Sequence, residues 1–205
     1  MTVKNTSVKN DKLTSYGPHG GMPLLQEPKL NKGTAYTAEE RRQLNIEGLL
    51  PHSVENLDRQ VDRVMAHLDE KSDDLERYIY LIGLEDRNET VFYKTIMSDP
   101  KRFIPVLYDP TVADACETFG NNYRRARGMY ITHKMKGRMA EVLRNWPEKD
   151  VRFICVSTGG RILGLGDIGA NGMRNVTSPT QLIFQSSASL RSNYFRTDTG
   201  SSAPR

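Results

Sequence analysis

Residues 54–68 have the sequence VENLDRQVDRVMAHL, which is the clearest structural signal in the chain. Apolar residues recur here every three or four positions, and mostly polar or charged residues fill the positions between them. This spacing predicts a helix with one apolar stripe, which we expect to pack inside the domain; contact with a second chain is the alternative. The stripe consists of Val54, Leu57, Val61, Val64 and Leu68.

Further helices are predicted on both sides of this stretch. Thr37 is a suitable N-cap for a helix over residues 37–45, because its hydroxyl can accept a first-turn N–H and Glu39 and Glu40 suit the helix dipole. Apolar spacing predicts two more helices, over residues 72–83 and 88–99. The amino-terminal half is therefore expected to be mainly α-helical.

Asp109 and Pro110 form the next helix signal, with the carboxylate as N-cap and proline at the first helical position, and we expect this helix to end at Gly120. Tyr108 directly precedes that start. Because a helix N-terminus attracts anions, a tyrosine there could meet an anionic substrate. On spacing alone, a tyrosine that packs in the core with a bonded hydroxyl is the favoured interpretation.

Short strands are predicted after the helices. Residues 129–132 and 151–157 have strand character, the second as a buried strand, and residues 138–145 form a short helix between them. The resulting fold class is α/β: a mainly α-helical amino-terminal half is followed by the start of a small parallel-sheet α/β layer, and the tail is disordered.

A glycine cluster covers residues 159–173. Gly164, Gly166 and Gly169 match the G-x-G-x-x-G pattern, but the sequence after Met173 contains no amphipathic helix and no acidic residue before Asp198. We therefore reject a Rossmann dinucleotide site at this cluster. Arg161 is a candidate carboxylate ligand, because a guanidinium binds a carboxylate through two parallel hydrogen bonds. An ordinary surface arginine remains the alternative.

Composition excludes several classes of protein. The 205 residues carry a net charge of +4. Residues 174–205 contain four arginines and one aspartate and so contribute +3 of it. We therefore attribute the basic character to the tail and expect no nucleic-acid partner. The longest aliphatic or aromatic run is the five residues 78–82, which excludes a membrane-spanning helix. No apolar stretch follows the start, so we expect a cytoplasmic protein. Cys116 and Cys155 lack metal-ligand spacing, and we expect two buried thiols and no metal site.

Both ends of the chain are expected to be flexible. Residues 1–29 are polar and punctuated by glycine and proline, and residues 174–205 contain eleven serines or threonines and one apolar run of three, residues 182–184. The sequence therefore divides into a flexible segment (1–29), a folded domain (30–173) and a disordered tail (174–205).

Several ordered segments of the folded domain resemble the amino-terminal part of malic enzymes, the NAD(P)-dependent, malate-decarboxylating family. They are residues 30–37, 48–51, 86–89, 105–112, 124–128, 145–147 and 161–167. By this resemblance, Tyr108 matches the general acid that protonates the enol, and Arg161 matches the arginine that binds a malate carboxylate. The resemblance also implies NAD(P) and Mg²⁺ or Mn²⁺ as cofactors and malate as substrate.

Departures from the family pattern limit this expectation. The family usually has Asp-Gly-Glu where Thr158, Gly159 and Gly160 stand, and Pro179 occupies the place of the lysine that serves as general base. The metal-binding acids and the dinucleotide domain of the family lie further on. We therefore expect a malic enzyme truncated after Met173 that binds neither cofactor and is inactive alone. The alternatives are a non-catalytic module that dimerises and one half of a split enzyme; no membrane partner is expected.

Overall fold

The computed structural model describes residues 20–126, 128–147, 151, 153–162, 164–175 and 181–187. The chain forms two compact units. The first combines the described residues up to Ser72 with Tyr80–Pro100, and the second combines Asp73–Ile79 with the described residues from Lys101 onward. Within the described ranges, no helix is both long and apolar enough to cross a membrane.

Helices build the first unit. They are α1 (Met22–Gln26), α2 (Ala38–Gln43), α3 (Leu57–Asp69), the second half of α4 (Asp74–Glu85) and α5 (Glu89–Ser98). The Thr37 hydroxyl accepts the backbone N–H of Glu40, and the Glu40 carboxylate accepts that of Thr37. This reciprocal capping confirms the predicted helix start. The mainly helical amino-terminal half is confirmed as well.

The apolar stripe of α3 packs inside the first unit. Val61, Val64 and Leu68 are buried, and α3 lies against α5. The side-chain oxygen of Asn56 accepts the N–H of Arg59 at 2.9 Å and caps the helix. Val54 lies before the cap and is 49% exposed, so its assignment to the stripe was wrong. Because the helix begins after the N-cap Asn56, Val54 lies outside it and does not follow the helical spacing.

The start of the described chain is folded. Leu24 in α1 is 1% exposed and packs with Tyr36, Leu44 and Ile46, and the N–H of Gly21 donates to the carbonyl of Leu44 at 2.7 Å. The prediction of flexibility for residues 1–29 is therefore wrong for α1, because one buried leucine and this backbone bond hold the segment to the core. Residues 1–19 lie outside the described residues.

The second unit contains a run of short helices: α6 (Pro100–Leu107), α7 (Thr111–Glu117) and α8 (Phe119–Asn122). α7 begins at Thr111 with Pro110 as the cap residue, so the prediction of Asp109 as N-cap was wrong. The carbonyl of Tyr108 accepts the N–H of Val112 at 2.7 Å, which satisfies a first-turn donor that a capping carboxylate would otherwise bind. α7 also ends before Gly120, which lies within α8.

Three strands in the second unit form a parallel sheet in the order β1-β3-β2, with β1 (Met129–Thr132), β2 (Phe153–Ser157) and β3 (Gln181–Ser187). Met129 is opposite Phe184, and Phe153 is opposite Gln181. β3 lies within the tail that we predicted to be disordered, and that prediction is wrong for these seven residues. The apolar run 182–184 falls inside β3, whose backbone pairs with a strand on each side. The rest of 176–205 lies outside the described residues.

One side of β2 is open to solvent. Ile154 is 50% exposed and Val156 is 65% exposed, whereas Cys155 between them is half-buried. Alternate strand residues face opposite sides of a sheet, so the two aliphatic side chains share one exposed face. The prediction of a fully buried strand was therefore wrong. β2 is an edge strand, and no part of the described chain covers this face.

The predicted short helix between β1 and β2 is α9 (Met139–Leu143).

Candidate functional site

Tyr108 lies at the junction between α6 and α7. Its backbone N–H donates to the carbonyl of Ile104 at 2.9 Å, and its own carbonyl accepts the N–H of Val112. The two helices therefore fix the backbone on both sides of this residue. The side chain is 61% exposed, so the interpretation as a core tyrosine is wrong and the hydroxyl is accessible to a ligand.

Arg161 lies in a closed loop that follows β2. The carbonyl of Gly159 accepts the N–H groups of Ile168 at 3.0 Å and Gly169 at 3.1 Å, which joins the start of the loop to its end. Inside the loop, Ile162 and Gly166 exchange two backbone hydrogen bonds of 2.8 and 2.9 Å. The Arg161 side chain is exposed.

Glycines are required in this loop by its backbone angles. Gly164 has a φ of 82° and Gly166 a φ of 75°, a left-handed region that disfavours other residues. A 3₁₀ segment, Gly169–Asn175, follows the loop where a Rossmann site would open an α-helix. The glycine cluster therefore forms a tight loop that presents Arg161, in agreement with our rejection of a Rossmann site.

Short polar side chains reinforce the Arg161 loop, and the sequence analysis missed them. The Ser157 hydroxyl accepts the N–H of Gly159 at 3.0 Å, the Thr158 hydroxyl accepts that of Gly160 at 3.3 Å, and the Asp167 carboxylate accepts that of Gly169 at 3.2 Å. The signal for these contacts was present in the sequence, because serine, threonine and aspartate two residues before a glycine commonly bond its N–H in turns.

The second unit contains both candidate residues, and elements that follow them along the chain are in contact. The 3₁₀ segment after the Arg161 loop packs against α7, which begins three residues after Tyr108, and also contacts α8. Neither the Tyr108 hydroxyl nor the Arg161 guanidinium makes a hydrogen bond or ion pair with the described residues, including one another. Both polar groups are therefore available to a ligand.

Comparisons with known proteins identify the chain. The family model for the malic enzyme N-terminal domain matches residues 85–196. The chain belongs to the malic enzyme family. It is 48% identical over 153 residues to the NADP-dependent malic enzyme of Anas platyrhynchos, and 44% identical over 164 residues to the NAD-dependent malic enzyme of Aeromonas hydrophila. These alignments cover 75% and 80% of this chain, but only 28% and 29% of the two relatives.

The extent of the malic enzyme match differs from our expectation. The matched stretch continues beyond Met173, where we placed the end of the resemblance, and reaches residue 196. It therefore includes β3, the central strand of the sheet. The mitochondrial NADP-dependent malic enzyme of Homo sapiens is 45% identical over 153 residues and is covered to 25% of its length. The chain thus spans less than a third of each of these malic enzymes.

The described residues do not form a site for the divalent metal that the resemblance to malic enzymes implies. Among the described residues, no three His, Cys, Asp or Glu side chains come together in a group that could hold a metal ion. Carboxylate oxygens are the preferred ligands of Mg²⁺ and Mn²⁺. The described residues therefore do not fit a divalent metal, and we assign no step of the chemistry to one.

Proposed function

We propose that this chain forms the malate-binding and proton-donating part of a malic enzyme. The observation that carries this proposal is that Tyr108 and Arg161 are both exposed in one unit, and that α7, which follows Tyr108, contacts the Gly169–Asn175 segment that follows the Arg161 loop. The Tyr108 side chain is 61% exposed shortly before α7 begins, where a ligand can reach it.

Each residue has a separate role in this proposal. The Arg161 guanidinium binds a carboxylate of malate through two parallel N–H···O bonds, and the closed loop limits its backbone motion. The Tyr108 hydroxyl donates a proton to the enol carbon during formation of pyruvate. Hydride acceptance is the chemistry of NAD(P), which we propose that this chain does not bind by itself.

Turnover needs groups that these two residues do not replace. Pro179 stands where the family has its general-base lysine, and proline has no titratable side chain. Catalytic groups that act as a unit lose nearly all activity when one of them is missing. We therefore propose that the 205-residue chain by itself binds malate but does not oxidise it. Reduction of NAD(P)⁺ by the pure chain with malate and Mn²⁺ would contradict this.

A titration with malate tests the binding step directly. We expect NMR signals of residues 159–169 to shift on addition of malate to the wild-type chain and to remain unchanged in Arg161→Gln. Arg144→Gln is the matched control, because Arg144 is another exposed arginine of the second unit. Equal malate affinity in the wild type and Arg161→Gln would overturn the assignment.

A second candidate function is a contribution to an assembly, as a dimerising module or as half of a split enzyme. The α3 stripe that we considered for this role is buried within its own unit, whereas Ile154 and Val156 are exposed on β2. Exposed aliphatic patches on strands favour association. Light scattering after size exclusion tests this: a monomer in both the wild type and Val156→Lys would count against association through β2.

A further inference from the structure

Positive charge is concentrated in one segment of the second unit. Residues 124–138, which we call the basic segment, contain six arginines or lysines and no acidic residue. The flanking acids nearest to it are Glu117 and Glu141. The charge of this segment is twice the +3 carried by residues 174–205, so positive charge is also concentrated in a segment outside the tail. A one-signed stretch of this kind attracts polyanions.

The cations of the basic segment are exposed and lie in two groups. Arg124 and Arg125 precede β1, and Lys134, Lys136 and Arg138 follow it; all five of these described side chains are exposed. β1 is an edge strand of four residues, which spans about 13 Å. A small anion cannot contact both groups at that separation, whereas a chain with repeated negative charges can.

An aromatic side chain adjoins the first group. Tyr123 is 50% exposed, and its ring makes an edge-to-face contact with Phe119 at 5.7 Å between centroids. This contact holds one edge of the ring and leaves part of it open to a flat ligand. Exposed aromatic rings beside cations are typical of surfaces that bind single-stranded nucleic acids, because bases stack on the ring while phosphates contact the cations.

We propose that Tyr123 and the basic segment form a binding surface for single-stranded nucleic acid, without base specificity. We expected no nucleic-acid partner because we attributed the basic character of the chain to residues 174–205. Binding of this sequence-independent kind needs only spaced cations and a stacking ring. The proposal does not use Tyr108 or Arg161 and is independent of the proposed function.

Salt dependence of binding tests the role of charge. We expect the full chain to bind a fluorescein-labelled oligouridine in an anisotropy titration, with affinity that falls steeply as NaCl rises. The double variant Lys134→Gln/Lys136→Gln should lower the slope of log affinity against log salt by about 1.4, because each lost phosphate contact removes about 0.7. The control Arg59→Gln/Lys101→Gln removes two exposed cations elsewhere and should leave the slope unchanged.

Removal of the aromatic ring tests the role of stacking. Tyr123→Leu should weaken binding to the oligouridine about fivefold or more and leave binding to heparin unchanged, because heparin has no bases. Circular dichroism melting curves establish that each variant is folded. Absence of binding at low salt, an equal loss in the control double variant, or unchanged oligouridine binding in Tyr123→Leu would each overturn the proposal; the last result would indicate a general polyanion surface.

Discussion

Arg41 makes the contacts from which we develop one prediction in full. The side chain is 6% exposed, and its guanidinium donates to five backbone carbonyls rather than to a carboxylate. The bond from Nε to the carbonyl of Tyr36 is 2.9 Å, and the bond from Nη2 to that of Thr34 is 3.1 Å. The other three acceptors are the carbonyls of Pro51, His52 and Ser53. Arg41 therefore ties residues 51–53 to the start of α2.

Replacement of Arg41 by Met keeps much of the buried volume and removes all five donors. Residues 51–53 are exposed and can bond water, but Tyr36 is buried and Thr34 is half-buried. The Thr34 carbonyl still accepts the N–H of Glu55 at 3.1 Å, so the Tyr36 carbonyl is the buried one that loses its donor. A buried carbonyl without a partner costs about 1–3 kcal/mol, and we expect a loss of local stability of that size. The loss of stability in Arg41→Lys should be smaller than in Arg41→Met, because an ammonium keeps three donors but lacks the planar fork of the guanidinium.

Hydrogen exchange read by mass spectrometry is the suitable assay, since it reports opening of residues 34–53 without an assumption of two-state unfolding. The predicted loss corresponds to an increase in the opening constant by a factor of about 5 to 150. The neighbouring Arg42→Met is the control, because among the described residues the Arg42 side chain makes only an exposed ion pair with Glu39, so the exchange should change little. Equal exchange in Arg41→Met and Arg42→Met would refute the reasoning.

Three further predictions concern the same unit and the Arg161 loop. Gly33→Ala should lower the melting temperature, because an added Cβ would lie 2.6 Å from Oε1 of Gln60 at a φ of 57°. Gly160→Ala should leave it nearly unchanged, because position 160 meets no atom closer than 3.4 Å and has an ordinary φ. Burial opposes the charge of Glu40, but the 2.7 Å bond and the charge of Lys32, together with the hydrogen bonds to Thr37, outweigh it and keep the pKa of Glu40 below 4.5. These contacts thus stabilise the fold above that pH and are lost as pH falls through the lowered pKa, so melting curves of Glu40→Gln and wild type should differ at pH 7 and converge in acid.

Much of the helical structure was predictable because its determinants are local. Thr37 and Glu40 form the predicted capping box, and the buried stripe of α3 follows the apolar spacing of residues 57–68. Such signals involve residues three or four positions apart, which meet on one face of a helix whatever the rest of the chain does. The ordered segments between residues 30 and 167 were also sufficient to indicate the malic enzyme family, as the comparisons confirm.

Other features depended on residues far apart in the chain. No spacing rule indicated that Tyr108 would be exposed, that the carbonyl of Tyr108 would replace Asp109 as the cap of α7, or that β3 would pair between β1 and β2. The burial of Arg41 likewise depends on a loop that returns to α2 ten residues later.

The sequence alone determined where the helices of the first unit start and which residue types are available for carboxylate binding and proton donation, because capping and apolar spacing act within one or two turns. Only the tertiary structure decided which of those side chains reach solvent and which strand completes the sheet. Burial and strand pairing depend on the free energy of contacts between distant segments, which outweighs local preference once the chain is compact.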